Sequence, residues 1–265
     1  MDTAAQLKTV NESGFPLQIA VSHIVETNKP AGWKVRYMEH AWQGGGASGF
    51  IDVVLQNWSD TAYMVMECKR VRDVDWIFLA SDGRPKQRRQ CKCWVTRYIG
   101  GEYKFFGWHE CPMDPTAYEA SFCVIRGQGS GGSRPLLERV GSEVVAATEA
   151  LALHERDYRP PTHTEIFRTY FNVIVTTAPL FVGTFDPATV SLTDGTLSAA
   201  EFSPVPFVRF RKQLSEASGP LGPSQEMPDT IARSRESTVF VVNSSFLIDF
   251  LTEFELDNGA ANQFA

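Results

Sequence analysis

Two carboxylates and an amine stand close together in the stretch Gly49 to Arg70, GFIDVVLQNWSDTAYMVMECKR. Asp52 lies inside one apolar run, Phe50 to Leu55, while Glu67 and Lys69 follow a second, Ala62 to Met66. The polar cluster Asn57, Ser59 and Asp60 between the runs marks a turn, so the pattern predicts two antiparallel strands. Centring the turn between Ser59 and Asp60 sets Asp52 opposite Glu67. Side chains alternate faces along a strand, so Glu67 and Lys69 point one way and Cys68 the other. Opposed residues on one face lie about 4.5 to 5.5 Å apart, where two like charges destabilise a hairpin unless something compensates. A hard divalent cation does this. Mg²⁺ takes carboxylate oxygens at about 2.0 to 2.1 Å and keeps waters that serve as nucleophiles. The bland alternative is a solvated polar face, since a bare Glu-X-Lys recurs by chance. Against it stand the strongly apolar strand before Glu67 and the setting of Asp52 within FIDVVL.

The order Asp, turn, Glu-X-Lys after an apolar strand resembles the PD-(D/E)XK superfamily, the restriction-endonuclease-like nucleases. The resemblance implies that Asp52 and Glu67 hold a metal, with the Cys68 backbone carbonyl as a further ligand. It implies that Lys69 orients the attacking water or stabilises charge developing on a phosphate. Mg²⁺ would be the cofactor, with Mn²⁺ able to substitute, and DNA the substrate, in bacterial defence, restriction or repair. Ile51 stands where the name-giving motif has Pro. Many members carry a further acidic residue on their first helix; Glu26 and, in the next strand, Glu39 compete for that role with the reading of plain solvated carboxylates. Some place a Gln four residues before an aromatic beside the metal, a pattern that Gln90 with Trp94 matches loosely. The implied fold is α/β, a restriction-endonuclease-like core of helix, three-stranded meander, helix and strand, with insertions and a C-terminal β/α extension. Two alternatives stay open: an inactive nucleic-acid-binding or assembly module of the same fold, and an RNA-directed nuclease.

The elements that must position these residues are legible in part. Residues 13–27 read as a helix with Ser13 as N-cap and Phe15, Leu17, Ile19, Ala20, Val21 and Ile24 offering an apolar face. Asn28, Pro30 and Gly32 end it. A strand over residues 33–42 precedes a glycine cluster, Gly44 to Gly46 and Gly49, expected to turn the chain into the hairpin. After Lys69, residues 86–98 read either as a helix opened by Pro85 or as an exposed basic loop. Cys91, Cys93, His109 and Cys111 have spacings tighter than the usual zinc pattern, and reduced thiols are the better reading. Leu137, Val140, Val144, Ala147, Leu151 and Glu155 trace one stripe of a helix over 136–156. Phe171 to Thr177, a continuous β-branched run, predicts a buried parallel strand, reached by a right-handed crossover. Strands are expected at 205–211 and 238–242, a short helix at 246–254 capped by Ser244 or Ser245, and loops at Gly127 to Ser133 and Ser215 to Pro228. The whole reads as a single domain over 1–265, with a core of about 13–70 and 134–178, an insertion of about 72–133 and an extension of about 179–265.

At 265 residues, with 43% hydrophobic and 21% charged residues, the chain has the composition of a globular protein able to bury a sizeable core. No signal-peptide pattern opens it and no apolar run reaches membrane-spanning length, so the expectation is a cytoplasmic protein without membrane contact, its five cysteines reduced. The net charge of −6 is no obstacle to a nucleic-acid partner, because binding follows local surface rather than the sum. Nine Lys or Arg against three acidic residues fall between Lys69 and Arg97. Arg70, Arg72, Lys86, Arg88, Arg89 and Lys92 are thus the candidate phosphate contacts, with Arg209, Arg211 and Lys212 as secondary ones. A partner protein for targeting and a homodimer are further expectations.

Overall fold

A computed structural model describes residues 2–126, 134–157, 165–214 and 233–256. The two loops expected at Gly127 to Ser133 and Ser215 to Pro228 lie outside the described residues. The chain opens with two helices, α1 (Thr3–Glu12) and α2 (Phe15–Asn28). Three strands follow: β1 (Lys34–Gly44), β2 (Ala47–Gln56) and β3 (Ala62–Lys69). They pair antiparallel in the order β1-β2-β3. Gly45 and Gly46, with φ of 58° and 81°, make the β1–β2 turn, which needs two positive φ values in succession. At the β2–β3 turn the Asn57 side chain accepts from the Thr61 and Ala62 amides, while Asp60 takes hydrogen bonds from Gln56, Tyr63 and Arg168. That network fixes the register, with Val53 opposite Met66 and Val54 opposite Val65, as the turn position predicts.

The segment after β3 forms β4 (Trp76–Leu79), the long ribbon β5 (Lys86–Ile99) and β6 (Glu102–Ala120), and β7 (Phe122–Ile125). Residues 86–98 are therefore strand, not helix or loop. Cys91, Cys93 and Val95 alternate with residues facing the other core, a period of two that three- and four-residue spacings of polar groups had obscured. Helix α3 (Leu136–Asp157) buries the whole stripe from Leu137 to Glu155. It leads to β8 (Ile166–Thr176), which runs parallel to β3 from Ala62↔Thr169 to Lys69↔Thr176. β9 (Leu180–Thr184) and β10 (Glu201–Val205) join β4 and β7 in a second, four-stranded sheet. β11 (Phe207–Lys212) and β12 (Ser237–Asn243) return to the main sheet, β12 lying parallel to β8. A short helix, α4 (Leu247–Glu253), follows a 3₁₀ turn capped by the Asn243 side chain rather than by Ser244 or Ser245, and β13 (Glu255–Leu256) ends the described chain.

The protein is thus a mixed α/β fold built on a nine-stranded sheet, with strands drawn from all three stretches of the sequence. Its two faces are buried separately. α3 covers one, against Val54, Val65, Ile174 and Val241. α2 and α4 lie on the other, against Val53, Met64, Val173 and Val242. The face that α2 buries is Leu17, Gln18, Val21, Ser22 and Val25, whereas Phe15, Ile19 and Ile24, expected in the core, are exposed. Among the described residues no helix is long and apolar enough to cross a membrane.

Candidate active site at the open end of the β2–β3 ladder

The β2–β3 ladder stops at Val53↔Met66, yet β3 continues to Lys69, held from its other side by β8. One residue beyond the last pair, Asp52 and Glu67 stand on either side of the gap. Asp52 is buried and substitutes for the missing ladder: its Oδ2 accepts the Cys68 amide at 2.6 Å. Its Oδ1 accepts from the Gln18 side chain on α2, also at 2.6 Å. Glu67 comes from the α3 face and carries the Lys69 ammonium 2.5 Å from its Oε1. The expected sharing of one face is therefore replaced by approach from two faces. Asp52 turns toward α2, Glu67 toward α3, and the strand gap lies between them.

The electrostatics follow from this placement. Burial, then the nearby charge of Glu67, pushes the Asp52 carboxyl up to about 7, against the lowering effect of the Cys68 amide and of Lys69. Glu39 adds a smaller push in the same direction. A register shift between Val35 and Tyr37 sets Met38 opposite Val53 and His40 opposite Ile51, so Glu39 stands across from Asp52. It does so with a positive φ of 49°, a conformation that Glu adopts only where its surroundings impose it. Glu39 on β1 and Glu67 on β3 thus flank Asp52 in sequence register without forming a cluster of side chains.

An excess of carboxylate at a strand gap is the donor set of a hard cation. In an extended strand the N–H and C=O of one residue point to the same edge, so the Cys68 carbonyl faces the side on which its amide meets Asp52. The Lys69 carbonyl points the other way and accepts from Thr177. Asp52, Glu67 and the Cys68 carbonyl are thus the oxygen donors beside this gap that could hold such a cation. A cluster of three or more His, Cys, Asp or Glu side chains placed to hold a metal does not occur among the described residues, so this set would be completed by the carbonyl and by water.

Two depressions lie beside the end of β3, one lined by Lys69 and the other by Glu67. One, of about 370 Å³, is lined by Glu12, Ser13, Gly14, Cys68, Lys69, Arg70 and Arg72. It brings three cations to the turn between α1 and α2, where Arg72 also reaches the Asn11 carbonyl at 3.4 Å. The other, of about 400 Å³, runs between the β1–β2 hairpin and α3 and has Glu67 in its wall.

Several expected site residues go elsewhere. Glu26 accepts the Val35 amide at 2.7 Å and so anchors the start of β1. Gln90 is exposed on β5 opposite Pro112, while Trp94 is buried in the α3-side core. Lys86 pairs with Asp82 at 3.0 Å, and Arg89 forks onto Asp114 at 3.1 and 2.8 Å. With Arg88 they sit at the end of β5 that pairs with β6, whereas β5 meets β8, the neighbour of β3, only over residues 94–98. Lys92 is buried and donates to the Ser234 carbonyl. Arg209 is fully buried and spends its guanidinium on the carbonyls of Gln90, Met113 and Pro115 at 2.8 to 3.1 Å. Arg211 is held by Glu110 and Glu236, and Lys212 by Glu138. Of the proposed basic contacts, only Arg70 and Arg72 line the cleft beside Lys69. The three thiols of Cys91, Cys93 and Cys111 are buried together in the α2-side core, all free.

Gln18 is the site residue that the sequence reading missed. Its signal was a polar side chain on the buried stripe Leu17, Val21, Val25, which must find a partner.

No family model, no curated protein and no solved structure matches this chain significantly, so the site stands on its own geometry.

Proposed function

We propose that this chain is a metal-dependent nuclease of the PD-(D/E)XK kind that hydrolyses DNA phosphodiester bonds, with Mg²⁺ as cofactor and Mn²⁺ as substitute. The observation that carries the reading is the end of the β2–β3 ladder, where Asp52 and Glu67 flank the Cys68 carbonyl edge, with Lys69 on Glu67. The order α2, β1-β2-β3, α3 and then β8 parallel to β3 supports a restriction-endonuclease-like core.

Asp52, Glu67 and the Cys68 carbonyl would hold the ion, and Gln18 would keep the Asp52 carboxylate turned to it. Bound there, Mg²⁺ would lower the pKa of a coordinated water and offset charge on the departing oxygen. Lys69 is free to exchange its bond to Glu67 for one to a phosphate oxygen or to the nucleophile, bringing positive charge where negative charge grows. Arg70 and Arg72 would position the neighbouring phosphates, contacts that carry affinity rather than sequence choice.

The alternative is a non-catalytic nucleic-acid-binding module. The incomplete side-chain ligand set favours it. Replacement of Lys69 separates the two. Lys69→Ala should keep the fold and Mg²⁺ binding but lose cleavage; near-normal cleavage by that variant would remove the role assigned to Lys69.

A further inference from the structure

The groove on the α3 side of Glu67 is aromatic and acidic, with no Lys or Arg in its lining. Its wall carries Trp42, Gly49, Phe50, Val65, Glu67 and Glu143. Trp42 is fixed in place, because its indole lies over the Gly49 backbone, where an added Cβ would meet Nε1 at 3.1 Å. Glycine opposite an aromatic across a hairpin is covered in this way. Phe50, next to Gly49, is 61% exposed, an unusual setting for a phenyl ring beside a depression. The charged groups are the carboxylates of Glu67 and Glu143, the latter paired with Arg139 at 3.5 Å, and Ser48 adds a hydroxyl. The volume of about 400 Å³ falls in the range of small-ligand sites.

We infer that this groove receives an unstacked nucleobase adjoining the scissile phosphate, so the substrate is single-stranded DNA or a nucleotide turned out of a duplex. The inference rests on the nuclease reading for the identity of the polymer. Charge divides the two depressions by ligand part. The cleft of Lys69, Arg70 and Arg72 suits phosphates, and the aromatic groove with its acceptor rim suits a base face and exocyclic amino groups. Glu67 lines the groove, Lys69 lines the cleft, and the two side chains are in contact, so one strand can reach both. A base still paired and stacked offers only its edges and cannot enter.

The test is equilibrium binding in EDTA, where no cleavage occurs, of short single-stranded oligodeoxynucleotides, the same strands with abasic residues, and the duplex. Wild type, Trp42→Ala and Phe50→Ala are compared, with intrinsic tryptophan fluorescence as a second readout. Loss of one stacking platform should weaken single-strand binding about 5- to 150-fold and leave duplex and abasic binding within about 2-fold. Quenching of tryptophan emission by the normal strand and not by the abasic one is also expected. Because Phe50 is exposed, its replacement reports even where Trp42→Ala fails to fold. Unchanged single-strand affinity in Phe50→Ala, or equal loss on the duplex, overturns the inference. A chain that binds single strands through these rings yet cuts nothing in Mg²⁺ would refute the catalytic reading alone. Cleavage of duplex with no preference for unpaired strands would refute this one alone.

Discussion

Asp52→Asn tests the site without a substrate. In the wild type the carboxyl ionises at about 7 rather than at its ordinary 3.8. Between those values the folded chain keeps a proton that the unfolded chain has released. The stabilisation is therefore fully present below about pH 4 and is lost as pH rises through 7. At about 1.36 kcal/mol per pH unit, holding the charged form at pH 8 costs roughly 4 kcal/mol. Asparagine removes that cost at nearly the same shape. Its Oδ1 accepts the Cys68 amide, and its Nδ2 donates to the Gln18 carbonyl oxygen once that amide rotates. The apo variant should therefore exceed wild type by about 2 to 4 kcal/mol at pH 8, or roughly 5 to 12 °C in Tm, and match it at pH 4. Urea denaturation in EDTA from pH 4 to 8 measures both. An Asn variant no more stable than wild type at pH 8, or a gain equally large at pH 4, refutes the picture of a buried, crowded carboxyl.

Other expectations follow from single contacts. Mg²⁺ binding to the wild type should strengthen from pH 6 to 8 and take up less than one equivalent at low pH while releasing a proton, detectable by calorimetry in buffers of different ionisation heat; pH-independent binding would place the ion elsewhere. Gln18→Leu should cost about 1.5 to 3 kcal/mol of stability at pH 8 and weaken Mg²⁺ binding, since it removes a hydrogen bond to a charged acceptor; an unchanged melt would count against that bond. Arg72→Ala should lower the salt dependence of DNA binding by about one phosphate contact, whereas Arg88→Ala, on the β5–β6 ribbon, should leave it alone. Arg209→Met should destabilise by about 2 to 5 kcal/mol by stranding three buried carbonyls, with no effect on salt slope in whatever remains folded.

The legible parts of the fold are those in which local chemistry decides. The Asn57 to Asp60 turn set the hairpin register, the Gly45–Gly46 pair the preceding turn, and the stripe from Leu137 to Glu155 the long helix. What stayed hidden depends on partners remote in sequence. The cations of residues 86–92 look like a DNA-facing run until β5 is seen paired with β6, where Asp114 and the Ser234 carbonyl claim them. Arg209 and Arg211 look like an exposed edge, but β11 is interior, with β12 on one side and β6 on the other. The placement of Asp52, Glu67 and Lys69 on two adjacent strands was readable from the turn between them, but the turning of Asp52 toward α2 was not. Gln18 was not, because its partner lies 34 residues away on another element. Helix α1, with no buried residue, has no apolar face to announce it.

The most direct measurement of the central claim is cleavage of plasmid, linear duplex and single-stranded DNA, with an RNA control, in Mg²⁺, Mn²⁺ and EDTA, for wild type and Asp52→Ala. DNA should be cut in either metal, most strongly on unpaired strands, with no cutting in EDTA and none by the variant. Cleavage that persists in Asp52→Ala or in EDTA, or a folded wild type that cuts none of these substrates in either metal, would contradict that claim.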